Sequence, residues 1–285
     1  MSAARLIIVH WNRPAECAAT ARAFDKQDAG LRIVVLDNNS APDAFERLRG
    51  SLEPSVAVIR LPENKGWGPA LNIGLREWLE HDTSELCLIS AHDADPAPDC
   101  VPCLLQAMQR DAKIGIACPE YPDGSIPRLS PMHGVAQEFA ERLRPNELRQ
   151  IDVPHGTLMI VRRACLIDIG LFDERYFAYG DEHELGARAR RHGWKIALVG
   201  GAVVANPETT TASELRSYLF TRNSLLLVHD YFGRFAASRR AALLLLNTLR
   251  LSLGARDGNF AFSSRARWRG CRDYLAGRFG PPPAP

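Results

Sequence analysis

The stretch HGTLMIVRRACLIDIGLFDERYFAYGDEHELGARARRHG, residues 155–193, decides the fold class of this 285-residue chain. Within it, the apolar run Leu158–Val161 predicts a buried strand, which two arginines close. Ala164–Ile169 predicts a short helix, which Gly170 ends in a left-handed cap. Strand and helix patterns also alternate over residues 5–80, so the sequence predicts an α/β fold with a mostly parallel sheet flanked by helices.

Acidic residues mark the junction between an aromatic loop and the next predicted helix. The loop ends near Tyr179, the acids Asp181, Glu182 and Glu184 follow, and an arginine-rich helix is predicted over Leu185–His192. Backbone N–H groups and the positive end of a helix keep carboxylates ionised at such a junction, where a base can face a cleft. Acids also favour the first helical turn for capping alone, and the spacing by itself favours that simpler interpretation.

Length, composition and charge limit the classes of function. With 46% apolar residues, the chain is long enough for one large α/β domain and an appendage. A net charge of +2 argues against a nucleic-acid binder, although residues 211–285 carry 12 arginines and 4 acids. We therefore divide the chain into a domain at 1–212 and an arginine-rich helical segment at 213–285. The basic charge of that segment predicts an anionic partner, either a phosphate or a membrane surface.

The cysteines and the apolar runs of the sequence indicate where in the cell the protein is expected. The seven cysteines lie mostly in apolar runs, and Cys100 and Cys103 have no second pair at metal-ligand spacing, so we expect reduced core residues. No signal peptide precedes the apolar run Leu6–Val9, and no run approaches the roughly 20 residues that span a bilayer. These features predict a cytoplasmic protein. Arginines and aromatic residues alternate over 260–279, which fits peripheral membrane contact and equally an ordinary helical cap.

Polar residues follow the first predicted strands. His10 and Asn12 follow the first strand, and Asp37 follows the second. The carboxyl ends of parallel strands form the binding crevice of an open sheet, so these side chains should cluster, although Asx residues also end strands as plain turns. After the third strand, the loop PENKGWGPALN at 62–72 permits close backbone approach before a helix. It has neither the Walker nor the G-x-G-x-x-G pattern, and is alone a weak nucleotide-binding signal.

The fourth predicted strand runs into Ala91-His92-Asp93-Ala94-Asp95. Acids just past a strand end can hold a divalent metal against a diphosphate. Asp93 is a ligand in either of two registers of the motif, whereas Asp95 and His92 depend on the register chosen. An Asx turn before Pro96 explains the same residues equally well.

The order of these motifs resembles the family 2 inverting glycosyltransferases of GT-A fold, in particular their rhamnosyltransferase-like and galactofuranosyltransferase-like bacterial members. The motifs are a strand, Arg-Arg, a helix, Gly-x-Phe-Asp-Glu-Arg-x-Phe, Tyr-Gly, paired acids and Gly-Trp, and the resemblance spans residues 5–235. It implies a Rossmann-like sheet with a C-terminal helical appendage. It also implies transfer of a sugar, with inversion, from a nucleoside-diphosphate sugar to a saccharide or lipid-linked glycan in surface polysaccharide synthesis. Deoxythymidine-diphosphate-rhamnose is the first donor expected, and a uridine-diphosphate sugar the next.

The resemblance, added to the strand-end pattern, assigns the candidate site residues. It implies a catalytic base at Glu182, or at Asp181 because the usual Glu-Asp order is reversed here. The candidates for nucleotide-sugar binding are His10, Asn12, Asp37, Asn64, Lys65, Gly66, Asn72, His92 and Arg222. The candidates for acceptor binding are His155, Tyr179 and Glu184, and those for a Mg²⁺ or Mn²⁺ ion are Asp93, Asp95 and Asn206.

Two departures from the family pattern keep alternatives open. Ala91 stands at an acid position, and Asn206 stands where many relatives have a histidine ligand, so we expect weaker metal binding. A cation such as Arg222 could then neutralise the leaving diphosphate. A non-catalytic or metal-independent relative that binds nucleotide or glycan is one alternative. A sugar-phosphate nucleotidyltransferase is less favoured, because residues 10–14 lack the glycine-rich, Arg- and Lys-containing loop which that class needs.

Overall fold

A computed structural model describes residues 4–27, 29–206, 212–253 and 263–282 of the chain. The strands are β1 (Arg5–His10), β2 (Arg32–Asp37), β3 (Ala57–Arg60), β4 (Leu86–Ala91), β5 (Asp95–Pro96), β6 (Ile114–Glu120), β7 (Ser125–Ser130), β8 (Gly134–Phe139), β9 (Leu148–Gln150), β10 (Leu158–Arg162) and β11 (Lys195–Ala205). The helices are α1 (Pro14–Asp25), α2 (Pro42–Ser51), α3 (Gly68–His81), α4 (Cys100–Arg110), α5 (Arg163–Ile169), α6 (Asp181–Arg191), α7 (Ser213–Ser252) and α8 (Ser264–Leu275).

The central sheet has the strand order β3-β2-β1-β4-β10-β6-β11-β5, with β9 also paired to β11. Strands β1 to β4 run parallel, and β6 and β11 run parallel to each other. Strand β10 runs antiparallel between β4 and β6. Its first residue, Leu158, therefore pairs with Ser90 near the end of β4, which brings residues 155–157 to the carboxyl edge of the parallel strands.

Both faces of the sheet are covered by helices, because successive strand residues point to opposite faces and are apolar on both. Ile7 and Val9 of β1 pack into one core with residues from α3, α5 and α6. Leu6 and Ile8 pack into a second core with residues from α1, α2 and α4. Apolar residues on both faces of a strand need cover on both sides, which is the physical basis of this three-layer α/β arrangement. The predicted fold class is confirmed.

The sequence predicts a pair of strands over residues 195–204 and an irregular stretch over residues 120–154, and the structure differs from both predictions. Residues 195–204 form one strand and not a pair, because a shift of register between Val199 and Val203 absorbs Gly200 and Gly201 as an irregularity without turning the chain. At Gly200 an added Cβ would lie 2.1 Å from the carbonyl oxygen of Arg144, so a neighbouring segment packs directly on this backbone. The region 120–154 is also more regular than predicted, since it contains the β7–β8 hairpin and β9.

The C-terminal segment consists of α7 and α8 packed against each other. Helix α7 begins at Ser213, where the predicted segment starts, and is interrupted at Gly233, which has a φ of 84°. The sequence predicts separate helices over residues 213–232 and 235–253, and this break lies between them. The division into two domains stays a prediction. None of the described helices is long and apolar enough to cross a bilayer.

Candidate active site

The carboxyl edge of the sheet gathers several of the predicted residues. The backbone N–H of Asn38 donates to the carbonyl of His10 at 2.8 Å, and that of Ala91 donates to the carbonyl of Thr157 at 3.0 Å. The ends of β1, β2 and β4 and the start of β10 are therefore linked at this edge. This is the position at which open α/β sheets bind ligands.

His10 and Asp37 form a buried pair beneath the edge. Nδ1 of His10 lies 2.9 Å from Oδ1 of Asp37, and Nε2 accepts a hydrogen bond from the backbone N–H of Arg13 at 3.0 Å. Burial raises the pKa of Asp37, but hydrogen bonds from His10 and Ser40 outweigh it and leave that pKa below its usual value. Both side chains are fully buried, so this pair fixes the strand ends from below. Asn12 is exposed beside them.

The loop predicted to hold the nucleotide is organised by Asn38, which sequence reasoning did not assign. Its Oδ1 accepts from the backbone N–H of Lys65 at 2.8 Å, and its Nδ2 donates to Oδ1 of Asn64 at 3.0 Å and to the carbonyl of Gly66 at 2.7 Å. The Lys65 ammonium pairs with Glu63 at the surface. The only signal for Asn38 was its place in the polar break after β2, which is shared by ordinary turns.

The same loop is docked against the aromatic loop that precedes the acids. The N–H of Trp67 donates to the carbonyl of Phe177 at 2.7 Å. Gly66 has a φ of +90°, and a Cβ there would lie 1.9 Å from that carbonyl oxygen, so only glycine fits. Asn72 is buried and clamps the chain from α3, with its Oδ1 accepting from Phe172 N–H and its Nδ2 donating to Phe172 O, both at 2.9 Å. Gly66 and Asn72 thus join two segments about 100 residues apart in the sequence.

The paired acids lie at the start of α6, where the left-handed Gly180 turns the chain into the helix. Asp181 is 1% exposed and accepts a hydrogen bond from the N–H of Gly68 at 2.9 Å. Burial raises the pKa of Asp181 well above its usual value, and the adjacent Glu182 carboxylate and a hydrogen bond with it act in the same direction. Burial and the adjacent carboxylate therefore favour the protonated form of Asp181.

Glu182 faces the edge of the sheet. Its Oε1 would lie 3.3 Å from a Cβ placed on Gly156, and the Trp67 ring would lie 3.5 Å from the same point. A larger residue at position 156 would crowd both groups. The Glu182 carboxylate thus lies close to Gly156 and to the Trp67 ring. This contact is beside Ala91 and Thr157 at the edge of the sheet.

Two histidines flank the acids. Burial lowers the pKa of His155 to about 4, Nε2 donates to the carbonyl of Pro119 at 2.7 Å, and Nδ1 is buried with no partner among the described residues. The His155 ring stacks on Tyr121. Burial likewise lowers the pKa of His183 to about 4, although Asp181 opposes the shift. Nε2 of His183 lies 3.8 Å from Oε1 of Glu182, so a neutral imidazole adjoins the acid pair.

Glu184 and Tyr179, the other predicted acceptor residues, differ in their surroundings. Both oxygens of Glu184 accept hydrogen bonds from Arg188, at 3.0 and 2.7 Å, and the Tyr231 hydroxyl donates to it at 2.9 Å. These contacts make Glu184 a brace of α6 and do not support its prediction as an acceptor contact. Tyr179 has a φ of 65° and its ring stacks on Phe220 of α7 at 4.7 Å between centroids.

Arg222, predicted to contact the diphosphate, is completely buried. Its guanidinium donates to Asn223 Oδ1 at 3.1 Å, to the Tyr218 hydroxyl at 3.2 Å and to the carbonyl of Gly280 at 2.8 Å. These contacts do not support a direct role in diphosphate binding. Asn223 carries the link to the site, because its Nδ2 donates to the carbonyls of residues 178 and 179, both at 2.8 Å. The Arg-Asn pair thus fastens the aromatic loop to the C-terminal helices.

The predicted metal ligands lie in and beside the turn after β4. The Thr20 hydroxyl anchors this turn by donating towards the carbonyls of His92 and Ala94, at 2.9 and 3.0 Å. Burial lowers the pKa of His92, and its Nδ1 lies 3.2 Å from the carbonyl oxygen of Val9. Asp93 is half-buried and Asp95 is exposed in β5. Asp95 pairs with Ala205 of β11, so Asn206 comes near this turn from the other strand.

The oxygen atoms of these side chains suit a metal ion that is also coordinated by a bound phosphate. Nδ2 of Asn206 donates to the Thr157 hydroxyl at 2.9 Å, which leaves its side-chain oxygen available as a metal ligand. Within the described residues no group of three His, Cys, Asp or Glu side chains comes together to hold a metal ion. A closed protein cage is therefore absent from this part of the chain. Mg²⁺ commonly binds through one or two carboxylates plus substrate phosphates, and Asp93 with the Asn206 oxygen fits that mode.

Sequence comparison agrees with this arrangement. The family model described as Glycosyl transferase family 2 matches residues 6–170. The chain is 28% identical over 269 residues to N-acetylglucosaminyl-diphospho-decaprenol L-rhamnosyltransferase of Mycobacterium tuberculosis, strains CDC 1551 / Oshkosh and ATCC 25618 / H37Rv. That match covers 83% of this chain and 85% of the relative.

Solved structures share the fold. GalNAc-T7, solved with UDP, GalNAc and Mn²⁺, matches with a TM-score of 0.67 and 14% identity over 97% of this chain, which spans 56% of that protein's chain. The mannosyltransferase PcManGT from Pyrobaculum calidifontis, solved with GDP-Man and Mn²⁺, matches with a TM-score of 0.60 and 15% identity over 97% of this chain and 88% of its own.

The family model covers more than half of the chain, and its fold is the one that the two solved transferases share. The chain therefore belongs to glycosyl transferase family 2 and is a glycosyltransferase of GT-A fold.

Proposed function

We propose that this protein transfers a sugar, with inversion at the anomeric carbon, from a nucleoside-diphosphate sugar to a hydroxyl of a lipid-linked saccharide. The observation that carries the proposal is the position of Glu182, a half-buried carboxylate over Gly156 at the carboxyl edge of the sheet. A base at this place removes the proton of the acceptor hydroxyl while that oxygen attacks the anomeric carbon from the face opposite the leaving diphosphate. One displacement of this kind inverts the anomer.

The protonation of the pair supports Glu182 as the base. Asp181 is buried and its pKa is raised, so we propose that it is protonated, donates a hydrogen bond to Glu182 and leaves Glu182 to accept the proton. It orients the Glu182 carboxylate while Gly68 N–H holds its other side. The reversed order of the acids relative to the family pattern is then accommodated by the longer side chain, which extends from the helix start into the crevice.

The donor is proposed to bind along the ends of β1, β2 and β4. The loop at residues 64–66, held by Asn38, and the exposed Asn12 line this part of the edge. The relative in Mycobacterium tuberculosis is named an L-rhamnosyltransferase. We therefore propose deoxythymidine-diphosphate-rhamnose as the first donor to test and a uridine-diphosphate sugar as the second. Its name also makes a saccharide linked through a diphosphate to a polyprenyl lipid the first acceptor to test.

A divalent metal is proposed at Asp93, with Asn206 as a second ligand. When bound, Mg²⁺ or Mn²⁺ neutralises charge on the departing diphosphate. Two solved proteins of this fold contain Mn²⁺. Because the side chains of the described residues supply only one clearly placed carboxylate, most ligands would have to come from the donor and water, and affinity without nucleotide should be weak.

Peripheral membrane contact is proposed for the C-terminal segment. Large apolar side chains are exposed, among arginines, on α7 from just before its break, immediately after its end and on α8: Phe232, Phe235, Leu246, Leu249, Leu253, Trp268 and Leu275. Such a surface buries its apolar side chains at the headgroup boundary while the arginines meet anionic lipids. A flotation assay with vesicles of anionic and of neutral lipid tests this contact, and equal recovery of the protein without vesicles would contradict it.

Transfer itself is tested with a panel of donors and an N-acetylglucosaminyl-diphospho-lipid acceptor. We expect one nucleotide sugar to be consumed in the presence of Mn²⁺, with the product anomer opposite to that of the donor by nuclear magnetic resonance. Loss of turnover in Glu182→Gln with donor binding retained would support the base. Binding of nucleotide without turnover of any donor would instead favour a non-catalytic relative, and full activity in chelator would favour a metal-independent one.

A further inference from the structure

A cleft of about 470 Å³ opens beside the acid pair, on the side formed by the C-terminal helices. Tyr179, Gly180 and His183 line the end next to the acids. Arg216, Arg240 and Arg267 line it further out. We call this the basic cleft. The β7–β8 hairpin forms its remaining wall through residues 133–137.

The basic cleft concentrates positive charge. No aspartate or glutamate is among the described residues that line it. Within the described residues, no carboxylate forms an ion pair with Arg216 or Arg240, and Nε of Arg216 is buried without a hydrogen-bond acceptor. Among the described residues, Arg240 donates to neutral oxygens alone, those of Ser224 and Met132, at 3.3 to 3.4 Å.

The Arg240 guanidinium is partly desolvated in the basic cleft. Burial lowers the pKa of the Arg240 guanidinium to about 10, and the nearby Arg267 adds to the shift. Partly desolvated guanidinium groups crowded together repel one another, and a phosphate relieves that repulsion through short, often bidentate hydrogen bonds.

The cleft also has an apolar part. Leu227 and Leu244 line it, and the exposed Leu246 and Leu249 continue along the same helix outside it. A ligand that joins a diphosphate to a hydrocarbon chain matches both parts.

We propose that the basic cleft binds the diphosphate of a prenyl-linked saccharide acceptor, with the saccharide directed past His183 to Glu182. This inference rests on the proposed function. None of the strand-end residues assigned to the donor lines the cleft, so its diphosphate partner is the acceptor's and not the donor's. Arg216 and Arg240 hold the phosphates, and the exposed leucines of α7 receive the start of the lipid.

Binding can be measured without turnover. Farnesyl diphosphate is titrated by calorimetry into the full chain, with and without saturating nucleoside diphosphate. We expect Arg240→Gln and Arg216→Gln each to weaken its binding about tenfold or more, as loss of a charge-assisted hydrogen bond does. Arg239→Gln is the matched control, because Arg239 is the exposed neighbour of Arg240 on the same helix. Arg240→Lys keeps the charge and should recover part of the affinity.

Two results would overturn the inference. Equal affinity of farnesyl diphosphate for the wild-type chain and for both glutamine variants would show that the arginines do not hold it. Displacement of the probe by nucleoside diphosphate would assign the diphosphate site to the donor. Should Arg240→Gln fail to fold, the Arg216→Gln and Arg240→Lys variants decide the same question.

Kinetics separate this inference from the proposed function. With a diphosphate-linked saccharide, Arg240→Gln should raise the acceptor KM about tenfold or more and leave the donor KM unchanged. With the same saccharide on an uncharged alkyl chain, wild type and variant should have equal KM values. Turnover with unchanged KM in both variants refutes the cleft but keeps the transferase, whereas arginine-dependent probe binding without any turnover refutes the transferase but keeps the cleft.

Discussion

Replacing Asp181 by asparagine should lower activity far less than replacing Glu182 by glutamine, although the two acids are adjacent at the centre of the site. The side chain is 1% exposed, and its pKa is raised by burial, by the Glu182 charge and by a hydrogen bond to Glu182. A protonated carboxyl has one donor and one acceptor oxygen, and an asparagine amide reproduces both. Its oxygen can accept from Gly68 N–H, now 2.9 Å from Oδ2, and its NH₂ can donate to Glu182.

The expected losses of kcat distinguish the roles of the two acids. Removing a general base lowers the rate by about 10² to 10⁴, equivalent to about 3 to 5 kcal/mol of barrier. We therefore expect Glu182→Gln to lose that much in kcat and Asp181→Asn to lose about tenfold or less. Asp181→Ala differs from both, because it leaves Gly68 N–H buried without its acceptor. That loss should lower the free energy of unfolding by about 1 to 3 kcal/mol.

The assay is turnover of the nucleotide sugar at saturating donor and acceptor, with urea unfolding of each variant as the control for folding. Asp181→Asn should match wild type in unfolding midpoint and keep kcat within about an order of magnitude. If Asp181→Asn lost as much activity as Glu182→Gln while remaining folded, Asp181 would be the base. The buried, protonated state inferred for it would then be wrong.

Three further outcomes follow from the structure. Asp93→Asn should raise the Mn²⁺ concentration that gives half-maximal activity at least about tenfold. This concentration is measured by titrating Mn²⁺ into enzyme freed of metal with a chelator. If it did not change, Asp93 would not be a metal ligand. Gly66→Ala should destabilise the fold by about 3 kcal/mol or more in urea, because its Cβ meets the Phe177 carbonyl oxygen. Gly193→Ala, with φ of +87° and open space around it, should cost only about 1 to 2 kcal/mol, and equal losses would contradict the steric argument. The pKa of His155 falls from 6.5 to about 4 on folding, so the unfolded chain binds more protons in that window and stability should decline by about 3 kcal/mol as pH drops through it. His155→Gln should remove the share of this decline due to His155 in denaturation curves recorded from pH 7 to 4, while the share due to His183 remains.

The sequence predicted which residues lie at the carboxyl edge of the sheet, because the direction of the strands alone determines that placement. Parallel strands have their carboxyl ends at one edge, so Asn12, Asp37 and Asp93 could be assigned to the same edge from the order of elements. Exposure could not be assigned in this way. Asp37 and its partner His10 lie beneath the edge, and Asn38 beside them organises the loop.

Burial and exposure were even less predictable from the sequence in the C-terminal helices. The sequence marked the excess of arginine after residue 211 and the Arg222-Asn223 pair. It gave no sign that Arg222 would be buried against Gly280, or that Arg216 and Arg240, more than twenty residues apart, would line one cleft. Helical periodicity fixes which residues share a face, but the packing of one helix on another depends on contacts with the whole domain.

By itself, the sequence determined the α/β architecture, the family and the place of the acid pair, because apolar runs, glycine caps and the direction of strands are local properties of the chain. Tertiary structure alone decided which acid is buried and has its pKa raised. Glu182 and Asp181 are neighbours with similar intrinsic acidity, and they are separated only because Gly68 and the loop before α3, more than 100 residues away in sequence, cover one carboxyl and leave the other facing the crevice. Desolvation sets that difference, and burial by distant segments is not encoded in any short stretch of residues.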